Sequence, residues 1–227
     1  YHAVMGQNPS RWKGPRNSAE MMSWTEAAAF CRQITKLLRE AGLIEATEEI
    51  RLPTEAEWEY CCRAGTATAY SFGDKATGPQ DEGKRASLLD PYGWHTGNAA
   101  GNDPPVGALK PNPWGLYDML GNVAEWTLDQ YHADAYSRLN ANVRDPLTPP
   151  GSKYPKVVRG GSYLDEADEL RCANRIASDA SWNKRDPQIP KSKWWLTDGM
   201  FVGFRVVRPG EAPTKEEIEK FFEIYLK

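Results

Sequence analysis

The sequence has few of the residues from which zinc centres are built. Its 227 residues include only three histidines and four cysteines, and no two cysteines form a C-x-x-C pair. His2, His95 and His132 are far apart along the chain, so no zinc-ligand spacing is visible. Buried free thiols and a disulfide between distant positions both stay open for the four cysteines, Cys31, Cys61, Cys62 and Cys172.

The sequence also lacks long apolar runs and blocks of basic residues. No stretch approaches the roughly 18 apolar residues of a membrane span, and the first residues do not resemble a signal peptide. The net charge is −3, from 28 basic and 31 acidic residues, which argues against nucleic acid or an anionic membrane surface as the main partner. Because the sequence begins with Tyr1 instead of Met, we expect that an upstream segment was removed or left out.

What the chain has in plenty is glycine, proline and aromatic residues. The 19 Gly, 17 Pro, 9 Trp and 10 Tyr indicate many tight turns and loops packed by aromatic rings. Residues 65–115 and 132–156 are predicted to be such loops. They carry tryptophan and tyrosine, which linkers seldom do, so the sequence predicts one irregular α+β domain.

Three helices are predicted from capping boxes. Ser23 with Glu26 begins an amphipathic helix that stops at Gly42, and Thr54 with Glu57 begins a short helix that ends near residue 62. A third box at residues 214–217 opens a C-terminal helix with apolar residues on one face. Strands are predicted over 157–159, which run into Gly160-Gly161 at a close backbone approach, and over 202–207.

Two apparent catalytic motifs are rejected. Gly78, Gly83 and Lys84 have Walker-A spacing, but Arg85 stands where a Ser or Thr should bind magnesium, and Pro79 interrupts the loop. The Gly161-Ser162 pair lacks the second glycine of a nucleophile elbow, and no histidine is near in sequence.

The segment 115–126 (GLYDMLGNVAEW) contains a weak signal for a cation site. Asp118 and Glu125 are separated by a turn at Gly121-Asn122, which can direct carbonyls and carboxylates to one point, as calcium prefers. From these residues alone, solvated carboxylates beside a turn are the favoured interpretation, and a calcium site is the alternative. The acidic stretch 164–169 is interpreted as a solvated loop, with a second cation site or a basic partner as the alternative.

Several short sequence motifs occur in the same order as in one known protein family. Across about residues 5–209 the chain resembles the formylglycine-generating enzyme (sulfatase-modifying factor) family, whose fold is a loop-rich variant of the C-type lectin fold with short antiparallel strands and a few helices. The phrases are Asn8-Pro9-Ser10, Ser23-Trp24, RLPTEAEWEY at 51–60, GLYD at 115–118, GNVAEW at 121–126, RGGSY at 159–163, Arg171-Cys172 and Gly203-Phe204-Arg205. The resemblance implies one such domain over 1–209, lacking the family's N-terminal strands, with a C-terminal helix at 210–227 packed on it.

The resemblance implies a structural calcium and one disulfide. In the family, calcium is held by the residue matching Asp118, the side chain matching Glu125, and carbonyls matching Gly121 and Val123. A second family calcium site, which would start near residue 98, is not expected because the stretch to residue 106 is short here. The family disulfide matches Cys62 and Cys172, whereas the partner of Cys31 in a second family bridge is replaced by Val206.

The resemblance also shows what is missing. Oxidase members hold copper between two cysteines just after the GGSY phrase, since thiolates suit Cu(I). This chain has no cysteine from Leu164 to Leu170, so no copper is expected.

The favoured hypothesis is therefore a calcium-stabilised binding or structural module in a larger assembly, with an unknown protein or small-molecule ligand and a secreted or cell-envelope location. Its candidate ligand-binding residues are Arg159, Ser162, Tyr163, Arg175, Trp182 and Trp194. The alternative is an enzyme with altered oxidative chemistry: a non-copper oxidase, or a formylglycine-generating activity if a partner supplies the metal site.

Overall fold

The elements are short and joined by long ordered loops. A computed structural model describes residues 1–140, 143–183 and 199–210. In these ranges, three α-helices and six strands occur in the order α1 (His2–Met5), α2 (Trp24–Glu40), α3 (Glu55–Arg63), β1 (Gly93–Trp94), β2 (Leu120–Gly121), β3 (Ala124–Gln130), β4 (Lys156–Arg159), β5 (Ile176–Ala177) and β6 (Val202–Gly203). Three 3₁₀ helices span Tyr136–Arg138, Ala167–Leu170 and Ala180–Asn183. The fold is the α+β class that was predicted.

Both N-terminal capping boxes are confirmed. The Ser23 hydroxyl accepts the Glu26 amide, and the Glu26 carboxylate accepts the Ser23 amide at 2.8 Å, so α2 begins where two otherwise unpaired amides are satisfied. Thr54 and Glu57 repeat this arrangement at the start of α3. The helix α2 ends at Glu40, one turn residue before left-handed Gly42, and buries an apolar face that carries Trp24.

The main sheet has the order β5-β4-β3-β6 and is mixed. Antiparallel β3 and β4 pair Glu125 with Arg159, but β6 runs parallel to β3, so the expectation of antiparallel strands holds only in part. The strand predicted over 202–207 is confirmed only at its start, because β6 covers Val202–Gly203. Val207 pairs instead with Arg51, because the chain leaves β3 after two residues.

The two larger apolar clusters lie around α2 and α3. One packs α2 against the sheet, with Trp24 and Trp126 at its centre, and the other packs α3 under the loops, with Trp58 at its centre. Gly160 follows β4 with φ +92°, and a Cβ there would lie 3.0 Å from the Trp58 ring. The predicted close approach at Gly160 is thereby confirmed.

Some predictions lie outside the described residues. These are the C-terminal helix at 210–227, together with its packing, and the candidate ligand residue Trp194; both stay predictions. Among the described residues, no helix is long and apolar enough to cross a membrane.

Candidate functional site

Arg159 lies at the end of β4 and is fully buried. Its guanidinium forms ion pairs with Glu55 and Glu59 of α3, donates to the Cys172 carbonyl at 2.8 Å and stacks 5.3 Å from the Trp58 ring centre. Since burying an unpaired charge is costly, these contacts are what allow a buried arginine here. Arg159 therefore ties α3 to the sheet.

Arg175 shares the same carboxylate. Its guanidinium makes a bidentate pair with Glu55 at 2.6 and 2.8 Å and lies between the rings of Tyr131 and Tyr136, at 4.9 and 5.1 Å from their centres. Glu55 thus joins the two candidate ligand arginines, and both are neutralised from within the protein.

Ser162 and Tyr163 follow the glycine pair and are also buried. The Ser162 amide and hydroxyl both donate to Asp165 at 2.7 Å, which closes the turn before the acidic stretch. In that stretch Glu166 pairs with Lys84 at 2.7 Å on an exposed surface. Tyr163 donates its amide to the Asn122 carbonyl, and burial raises the pKa of its phenol to about 12.

Trp182 is partly buried and packs against the apolar cluster that contains Trp24 and Trp126. Its ring lies 5.9 Å from that of Trp126 and meets Phe201 edge to face at 5.0 Å. Among the described candidate ligand residues, Arg159 and Arg175 are brought together by Glu55.

Three of the four predicted calcium ligand positions border the same pocket. Asp118, Val123 and Glu125 line one pocket of about 420 Å³ that also contains Asn122 and Arg205. The turn that shapes the pocket has positive φ at Asp118, Gly121 and Asn122 (54°, 80° and 62°), which accounts for the glycine and asparagine in the sequence.

A guanidinium already occupies the centre of this arrangement. Arg205 donates Nε to Glu125 Oε2 at 2.5 Å and Nη2 to Oε1 at 2.7 Å, and it also reaches the Tyr117 and Asp118 carbonyls. Trp58 Nε1 donates to Glu125 Oε2 at 2.6 Å. Burial opposes the charge of Arg205, but the charge of Glu125 and the hydrogen bonds to it raise the arginine's pKa.

The fit to calcium is therefore partial. Asp118 Oδ2 accepts the Gly107 amide at 2.7 Å, and both oxygens of Glu125 carry hydrogen bonds, so calcium there has to compete with Arg205. Across residues 1–140, 143–183 and 199–210, no group of three or more His, Cys, Asp or Glu side chains is placed to hold a metal ion.

Cys62 and Cys172 are both buried, with 3.3 Å between their sulfurs. Burial raises the pKa of Cys62 well above its usual value, and the hydrogen bond from Cys62 lowers that of Cys172. The structure places the two predicted partners side by side as thiols. Cys31 is buried elsewhere, on the core face of α2, and burial raises its pKa to about 12.

Sequence reasoning missed Arg205 and Glu20. Arg205 was visible in the Gly203-Phe204-Arg205 phrase, but the phrase alone does not reveal a partner 80 residues away. Glu20 has no exposed surface, and its carboxylate accepts the Arg11 and Trp12 amides at 2.5 and 3.2 Å. The only indication of Glu20 in the sequence was its position just before Trp24, at the start of α2.

The few helices, the short curled sheet and the glycine-rich turn around Glu125 define a formylglycine-generating-enzyme type of fold. A model of the sulfatase-modifying factor enzyme 1-like domain matches residues 2–209, and the chain belongs to this family.

Individual relatives agree with this assignment. The chain is 33% identical over 174 residues to the formylglycine-generating enzyme of Bos taurus, covering 68% of this chain and 38% of the relative. It is 32% identical over 152 residues to the inactive C-alpha-formylglycine-generating enzyme 2 of the same species, covering 65% and 38%. A solved structure, Treponema denticola variable protein 1, matches with a TM-score of 0.64 at 25% identity, covering 90% of this chain and 78% of that one. The chain spans about two fifths of the length of these curated relatives.

Proposed function

We propose that this sulfatase-modifying-factor-like domain acts as a binding or structural module and does not carry out copper-dependent cysteine oxidation. The observation that carries the proposal is the segment after Gly161. There, Ser162 is closed onto Asp165, and the chain continues into the 3₁₀ helix Ala167–Leu170 without a thiol. Because Cu(I) in proteins needs soft ligands, this segment has no donor set for it.

The sulfur nearest in sequence does not supply a substitute pair. Cys172 lies in the apolar cluster under α3, against Cys62, with no exposed surface on either residue. We propose that these two thiols form the family disulfide when the compartment is oxidising, which removes them from metal chemistry altogether. A relative named as inactive fits a module without this chemistry.

Calcium is the second part of the proposal. Three of the four predicted ligand positions line the pocket at Asp118 and Glu125, and oxygen donors suit a hard cation. Calcium binding there requires Arg205 to give up one oxygen of Glu125. We further propose that the module serves a larger assembly and binds a protein or a small molecule, with no role for nucleic acid.

The test is elemental analysis of the purified protein by mass spectrometry, with thermal unfolding before and after a calcium chelator. We expect bound calcium, no stoichiometric copper or iron, and a lower unfolding midpoint after chelation. Stoichiometric copper or iron would overturn the proposal and favour the enzyme alternative. If no calcium is bound and the unfolding midpoint does not change after chelation, the calcium part of the proposal is wrong.

A further inference from the structure

A groove lies between the short helix α1 and α2, and we call it the α1–α2 groove. It encloses about 550 Å³ and is lined by Val4, Met5, Ala29, Arg32, Gln33 and Lys36. The Tyr1 ring stacks on the Phe30 ring with 5.4 Å between their centres, which holds the start of α1 against α2. Val4 and Met5 make the α1 side of the groove apolar, whereas Arg32 and Lys36 give the α2 side positive charge.

The end of the described chain leads towards this groove. Arg208 forms an ion pair with the Glu48 carboxylate, and the Glu48 carbonyl accepts the Arg39 guanidinium at 2.7 Å. Arg39 lies three residues after Lys36 and seven after Arg32, so these side chains follow one another along one face of α2. A segment that continues from Gly210 therefore starts at one end of the row of side chains that lines the groove.

Residues 211–227 are long enough to reach the whole groove. Because an α-helix rises 1.5 Å per residue, Ala29 lies about 15 Å from Arg39 along the axis of α2. The capping box at residues 214–217 predicts a helix over 215–227, which would be about 20 Å long. Such a helix, starting beside Arg39, would pass Lys36 and Arg32 and extend to Ala29.

The sequence of this segment is complementary to the groove. An isolated helix this short is marginal in water, so its apolar face needs a surface to cover it. That face carries Ile218, Phe221, Phe222 and Tyr225. Residues 211–227 contain five glutamates and three lysines, and Glu217 and Glu219 flank the apolar face, opposite in charge to the groove. The present partner of Lys36 is Glu40 at 3.8 Å, an exposed and therefore weak ion pair.

We propose that residues 214–227 dock as a helix in the α1–α2 groove, antiparallel to α2. The apolar face of the segment covers Val4, Met5 and Ala29, and its glutamates lie beside Arg32 and Lys36. The groove is thus an internal docking surface for the C-terminal segment of the same chain. This assignment does not depend on the role of the domain as a non-oxidising module.

The experiment replaces Phe221 in the full chain with the photoreactive amino acid p-benzoylphenylalanine. After irradiation, peptide mapping by mass spectrometry identifies the residues to which position 221 has become attached. We expect crosslinks within one chain to residues 4–5 and 29–36. Crosslinks to another part of the same chain, crosslinks only between two chains, or no crosslinks at all would overturn the proposal.

A charge reversal in the groove provides the second readout. The double variant Arg32→Glu, Lys36→Glu should lose most of these crosslinks, and the amides of residues 218–226 should exchange hydrogen several-fold faster than in the wild type. The matched control is Lys75→Glu, Arg85→Glu, which makes the same change in net charge on exposed residues of the loop after α3 and should behave like the wild type. Cooperative urea unfolding of both variants checks that they are folded. Equal crosslinking and equal exchange in the two variants would contradict the docking.

Discussion

Arg205 and Glu125, 80 residues apart in the chain, form a bidentate ion pair at the junction of β3 and β6. The Glu125 side chain is only 7% exposed and also accepts the indole N–H of Trp58, so one carboxylate connects three segments of the fold. The guanidinium provides the positive charge that this buried carboxylate requires. The positive charge of Arg205 therefore stabilises the packing of these segments around Glu125.

Replacing this cation should destabilise the fold strongly. Arg205→Gln leaves Glu125 buried without its charge partner, and we expect the free energy of unfolding to fall by about 3 to 5 kcal/mol. Arg208→Gln is the matched control, since Arg208 pairs with Glu48 but is 52% exposed; its cost should stay below about 1 kcal/mol. Urea unfolding measures both, and similar losses would contradict the assigned role of Arg205.

Gly160 is predicted to tolerate no side chain. Its φ of +92° already disfavours alanine, and the added Cβ would lie 3.0 Å from the Trp58 ring. Gly160→Ala should therefore cost about 2 to 4 kcal/mol, from left-handed strain and overpacking together. Gly42→Ala, at φ +67° with nothing within 4 Å, should cost only about 1 to 2 kcal/mol. Equal losses in chemical unfolding would rule out the packing contribution at Gly160.

Lys156 should make stability rise with pH in the alkaline range. Burial lowers its pKa to about 8, while the amine donates to Gln130 and to the Ser152 carbonyl and lies 4.7 Å from the Trp24 ring centre. Between pH 8 and the usual lysine pKa the unfolded chain binds more protons than the native one, so the free energy of unfolding increases with pH. We expect about 1 to 2 kcal/mol over this interval, because solvent screening removes part of the full shift.

The measurement for Lys156 is the difference between the wild type and Lys156→Met. Tyrosine and cysteine titration contributes to both proteins and cancels. The wild type should gain stability relative to the variant from pH 8 to 10, and a constant difference would refute the pKa assignment.

Cys62 and Cys172 should form a disulfide on mild oxidation. Their sulfurs are 3.3 Å apart, and the bond would close a loop of roughly 110 residues. Such a loop is expected to stabilise the oxidised chain by about 2 to 4 kcal/mol. Peptide mapping without reductant should find this bridge and leave Cys31 free; a bridge to Cys31, or no gain in unfolding midpoint, would count against the prediction.

Local structure could be predicted from the sequence where a few adjacent residues determine it. The capping boxes at Ser23 and Thr54 satisfy amides of their own helices, so α2 and α3 begin as predicted. The predicted length of β6 was wrong because Val207 pairs with Arg51 instead of with β3. That pairing depends on where the loop of residues 48–53 lies, which no local sequence pattern indicates.

The candidate site was harder to predict because its side chains choose distant partners. Arg159 and Arg175 are of a residue type that is common in ligand-binding sites, but both form ion pairs with Glu55. Glu55 is more than 100 residues away in the sequence, so this pairing could not be predicted. The turn at Gly121 and Asn122 was recognisable because its positive φ angles favour glycine and asparagine. The guanidinium beside this turn belongs to Arg205, which is 80 residues after Glu125 in the sequence, so the contact could not be predicted.

The most direct test of the central claim is an activity measurement on the copper-loaded, reduced chain. A cysteine-containing peptide is incubated with the protein, copper, reductant and oxygen, and mass spectrometry follows conversion of the cysteine to an aldehyde, with the bovine formylglycine-generating enzyme as the positive control. We expect no aldehyde above the level produced by copper alone, because residues 164–170 contain no thiol to hold the metal. Copper-dependent aldehyde formation that requires this chain would contradict it.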